Sequence, residues 1–115
     1  MILFKLTVRI NKLTPAIMHI FNTLYKLNNE QIPSYPLDWV ITSINDSTHL
    51  PTSRHYTDEA IDLKSKNFTT LMIKQEFRDR LASILDDTKF TVIFEDVGMD
   101  NEHFHIQVKK GKVYV

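Results

Sequence analysis

The chain has 115 residues, no cysteine, two glycines and 14 basic against 14 acidic side chains. The missing cysteines exclude a disulfide framework, a thiolate metal site and a cysteine nucleophile, and Gly98 and Gly111 alone cannot write a glycine-rich phosphate loop. A formal charge of zero gives no electrostatic reason to expect nucleic acid or an anionic membrane, and the length fits one domain, 1–115.

In chain order, residues 2–10 read as a strand. They are apolar but interrupted by Lys5 and Arg9, and they lack the basic start, clean apolar stretch and small-residue cleavage site of a secretory signal. The chain is therefore expected to be cytoplasmic on synthesis, with no membrane span. Thr14-Pro15 is a helix start, a capping hydroxyl followed by a proline at the first helical position. Ile17, Ile20, Phe21 and Leu24 then mark one apolar face. His19 lies off that face, which predicts a solvated side chain. Residues 39–44 read as a strand, 45–57 as a loop and 59–64 as a strand. Ile73, Phe77, Leu81, Ile84 and Leu85 predict a helix over 69–86. Phe90, Val92 and Phe94 alternate with Thr91, Ile93 and Glu95, and residues 103–108 alternate again, so both read as strands. The segment 109–112 reads as a charged turn protecting a sheet edge, and 113–115 as a last strand. The order predicts a small α+β domain with a largely antiparallel sheet and two main helices.

Strand parity selects the candidate chemistry. In 103–108, His103, His105 and Gln107 share one face and Phe104, Ile106 and Val108 the other. The apolar set takes the core, so both histidines face outwards, either as a solvated pair or as part of a site. In the preceding strand Ala60 and Asp62 share a face while Ile61 and Leu63 go inwards. A carboxylate beside a small alanine leaves room for a cation, and His55 with Asp62 would suit zinc. The alternative for Asp62 is an ordinary surface acid.

The string Ser53-Arg-His55-Tyr-Thr-Asp58-Glu-Ala60-Ile-Asp62 resembles the S-x-H-x-x-G-x-A-x-D signature of the D-alanyl-D-alanine carboxypeptidase and L-alanyl-D-glutamate endopeptidase family of zinc peptidases. The strand ending in Thr42-Ser43 and the later Glu102-His-Phe-His105 are similar to the elements flanking that signature. The resemblance covers about residues 39–108 and implies a hedgehog/DD-peptidase-like fold, with His55, Asp62 and His105 as ligands of Zn2+. It further implies Glu102 as general base, with His103 as the alternative base or a transition-state stabiliser. Glu102 has the wrong parity for this face unless the chain is still turning there, and Gly98 stands where it can help that turn. Ser53, His49 and Arg54 are candidate substrate-binding residues, although each has an ordinary reading as a turn or exposed side chain.

The implied substrate is a peptidoglycan stem peptide containing D-amino acids, cleaved by a monomer resembling a compact phage-type wall hydrolase (endolysin-like) that would reach the cell wall after release. An endopeptidase and a carboxypeptidase remain equally open, because the loop after Thr-Ser lacks the arginine many members carry. Asp58 replaces the signature's glycine, and aspartate tolerates positive φ better than most residues. Both departures would also suit a catalytically altered wall-binding module of the same fold. An unrelated α+β domain would bind no metal.

Overall fold

The computed structural model describes residues 1–44 and 58–114. Thr14 accepts the Ile17 N–H at 3.2 Å and starts helix α1, Pro15–Asn29. Ile17, Ile20 and Leu24 are buried as their spacing requires, and Phe21 is half-buried against Phe4. Thr70 caps α2, Leu71–Ile84, in the same way, its hydroxyl accepting the Ile73 N–H. That helix buries Phe77 and Leu81.

Five strands make one mixed sheet: β1 Ile2–Phe4, β2 Trp39–Ser43, β3 Ala60–Lys64, β4 Phe90–Glu95 and β5 His103–Val108, in the order β1-β2-β3-β5-β4. The β1–β2 pairing is parallel and the other three pairings are antiparallel. Trp39, Ile41, Ile61, Leu63, Phe104, Ile106, Val108, Phe90 and Val92 all join one buried cluster with the apolar faces of both helices. Both helices therefore cover one face of the sheet, and the described residues form a two-layer α+β unit around one core. Aromatic rings fill its centre. Phe77 stacks on Trp39 at 5.2 Å and meets Phe104 edge-on at 5.0 Å, while the Trp39 indole N–H donates to the Leu24 carbonyl at 2.8 Å. The second face carries the opposite parity: Val40 and Thr42 from β2, Asp62 and Lys64 from β3, Glu95 from β4, and His103 and His105 from β5.

Three expectations change. The strand drawn over 2–10 ends at Phe4, because the chain turns at once, with Val8 N–H donating to the Lys5 carbonyl at 3.0 Å. Val8 and Ile10 still pack against the core, but from a loop, so their alternation reports burial and not pairing. Val113 and Tyr114 form no strand. The Tyr114 ring packs on Phe90 and stacks on His19 at 4.9 Å, which leaves His19 half-buried rather than solvated. Burial, then the Lys26 charge, lower the His19 pKa, despite an opposing pull from Asp86.

Candidate functional site

The register of β3 against β5 builds the site. Asp62 sits opposite His105 and Lys64 opposite His103, while β4 places Glu95 opposite His103 from the other side. Directly opposed residues in antiparallel strands hold their Cβ atoms ~5 Å apart, so these side chains meet without any loop having to carry them. His105 Nδ1 lies 3.0 Å from Asp62 Oδ1 and its Nε2 lies 2.7 Å from Gln107 Oε1. His103 Nε2 is 3.7 Å from the same Asp62 oxygen. Glu95 Oε1 is 3.9 Å from both imidazoles.

The two histidines are prepared differently. His103 Nδ1 is 2.6 Å from the Asn101 carbonyl oxygen. A carbonyl only accepts, so Nδ1 carries the hydrogen and, in the neutral ring, Nε2 presents its lone pair towards Asp62. His105 is half-buried. Burial lowers its pKa, but the hydrogen bonds to Asp62 and Gln107 and the charges of Asp62 and Glu95 outweigh that and raise it.

Glu102 is engaged elsewhere. It precedes β5 and is 8% exposed. Its Oε1 accepts from Ser65 Oγ and from Lys74 Nζ, both at 2.6 Å, and its Oε2 accepts the Gly98 N–H at 2.8 Å. Burial pushes this carboxyl up, but the Lys74 ammonium, the Ser65 hydroxyl and the Gly98 N–H overcome it and hold the pKa at about 2. A general base works best with a pKa near the working pH, so this arrangement suits a structural anion that ties α2 to the 96–102 turn. Gly98, at φ +80°, contributes its N–H to that turn.

Asp58 adopts φ +53°, as the signature's glycine position led us to expect of a tolerant residue. It is buried, its Oδ2 accepts the Lys12 N–H at 2.6 Å, and its carbonyl accepts the Thr14 hydroxyl at 2.6 Å. The carboxylate is thus directed at the start of α1.

His49, Ser53, Arg54 and His55 lie outside the described residues. Among the described residues no group of three His, Cys, Asp or Glu side chains is arranged to hold a metal ion. Asp62 and His105 do converge, and carboxylate oxygen with imidazole nitrogen is a donor set that fits zinc. Glu95 is the neighbour that sequence reasoning did not single out. It ends β4, and only the β4–β5 pairing, with Glu95 opposite His103, could have exposed it. Beside the cluster opens a groove of about 630 Å³ whose lining includes Asp62, Thr42 and His103. No described helix is long and apolar enough to cross a membrane. Comparisons with protein-family models, curated proteins and solved structures find no match to this chain.

Proposed function

We propose that the chain is a zinc-dependent peptidase of the DD-peptidase type that cleaves peptidoglycan stem peptides containing D-amino acids. The observation that supports this most is the convergence of Asp62, His103 and His105 on the open sheet face beside a groove. Asp62 and His105 would hold zinc together with His55, which the resemblance supplies. Bound zinc would contribute an ionisable water with pKa near ~7 and an electrophilic contact for the scissile carbonyl. His103 is the proton carrier that the geometry favours. Its Nδ1–H is fixed on the Asn101 carbonyl, so Nε2 takes a proton in the attack and returns it to the leaving amine. Asp62 Oδ1 and Glu95 Oε1 lie 3.7 and 3.9 Å from that nitrogen.

A second reading has an observation of its own. A non-catalytic module has no need of a general base at Glu102. Its bonds to Lys74, Ser65 and Gly98 give it a structural role, so a zinc-containing wall-binding module of the same fold stands as the alternative.

Metal analysis and wall-lysis assays on the purified chain separate these. The peptidase has one zinc per chain, lost in His55→Ala and His105→Ala, and its turnover falls ~10²–10⁴-fold in His103→Ala. Zinc without lysis gives the binding module. A chain that takes up no zinc from metal-replete buffer overturns both.

A further inference from the structure

The groove beside Asp62 and His103 is also lined by Lys5, Lys64 and Lys66. Each arrives from a pinned stretch of backbone. Lys64 is two residues after Asp62 on the same strand face and sits opposite His103. Lys5 directly follows β1, and its N–H donates to the Ile41 carbonyl at 2.9 Å, extending the β1–β2 pairing. Lys66 follows Ser65, whose hydroxyl holds Glu102 and whose carbonyl accepts the Phe68 N–H at 3.0 Å.

The charge of this groove is not balanced locally. All three lysines are exposed, and among the described residues none of them forms an ion pair. Of the acids in the same lining, Glu102 is neutralised by Lys74 and Asp62 faces the histidines, which leaves Asp100 against three ammonium groups. A chain with no net charge has thus gathered cations at one edge of its candidate site. The volume is that of a small-ligand cleft, enough for a short peptide segment.

We propose that Lys5, Lys64 and Lys66 form a subsite that binds a free carboxylate of the peptide whose backbone lies at Asp62 and His103. The proposal rests on the peptidase reading for the identity of the ligand. The lysines act as point charges, so they select charge without imposing the planar fit of a guanidinium.

The test is calorimetric binding of two synthetic stem pentapeptides, one ending in a carboxylate and one in an amide, in the presence of a neutral chelator so that hydrolysis does not intervene. The full chain binds the acid form about tenfold tighter than the amide, a preference that weakens as salt rises. In Lys64→Met/Lys66→Met, whose replaced side chains are exposed and unpaired, thermal unfolding is unchanged and the preference disappears. Equal binding of acid and amide by the wild-type chain overturns the subsite, as does a preference that survives in the double variant. Hydrolysis without acid preference leaves the peptidase and removes the subsite. Acid preference in a chain that never hydrolyses either peptide keeps the subsite and removes the peptidase. Inorganic phosphate that displaces the acid peptide at equal concentration would show a general anion site and overturn the assignment to a peptide carboxylate.

Discussion

Asp58 shows how one side chain can do more than the residue it replaces. At φ +53° glycine would relieve strain of ~1 kcal/mol or more, but it would remove the acceptor of the Lys12 N–H and leave that donor near a buried position. Asp58→Ala keeps the strain and loses the bond. Its chemical-denaturation midpoint should fall by an amount equivalent to ~1–3 kcal/mol, and Asp58→Asn should fall less. Glu102 is the second such residue. Lys74→Met leaves its carboxylate buried without a cation, at a cost of ~3 kcal/mol or more. Folded Glu102 holds its proton less tightly than the unfolded carboxyl, about 2 against 4.5. Its stabilising contribution is therefore complete above pH ~4.5 and is lost as pH falls towards 2. Between pH 2 and 5 the unfolding free energy should fall more steeply with acid in the wild-type chain than in Glu102→Gln. The chain's likeness to E-x-x-H drew attention to Glu102 for catalysis. The partners that redirect it, Lys74 and Ser65, stand 28 and 37 residues away in sequence, where no local pattern connects them.

At the scale of elements, whatever is governed by local rules was legible. Thr14-Pro15 begins α1, alternation locates β4 and β5, and parity puts His103 and His105 outwards and Phe104 inwards. Thr14→Ala tests the first of these. It removes the cap of Ile17 N–H and the bond to the Asp58 carbonyl together, so it should cost ~1–2 kcal/mol in equilibrium unfolding, the upper part of the range for caps. What failed was the inference from apolarity to pairing. Val8, Ile10 and Tyr114 all approach the core, yet none belongs to a strand. His19 was placed correctly on its helix and wrongly in water, because Tyr114 and Phe90, which cover it, come from the other end of the chain. The parallel pairing of β1 with β2 was likewise hidden. It depends on α1 carrying the chain back alongside itself, and strand composition alone does not record direction.

For the molecule as a whole, the proposed function would link folding and metal binding through His105. Its proton is held more tightly than usual, and a ligating nitrogen must give that proton up. On the proposed function, zinc should raise the unfolding temperature by an amount that grows with zinc concentration. The rise should be larger at pH 8 than at pH 5.5. Without zinc the same histidine works in the opposite sense: the stability it contributes when protonated is present at low pH and lost as pH rises through its raised pKa. Scanning fluorimetry over the two pH values, with and without zinc, reads both effects, and a shift that is independent of pH would place the metal away from His105.

The placement of both helices on one side of the sheet has a further consequence for how this chain can change. Side chains that secure the core and side chains that face outwards alternate along the same strands, and they seldom coincide. Val40, Lys64, Thr91 and Ile93 can therefore be randomised together with little loss of folded protein, while Ile41, Leu63, Val92 and Ile106 cannot. A library built on the outward set would sample new binding surfaces at nearly constant stability, a ready platform for directed selection whether or not the natural activity is retained.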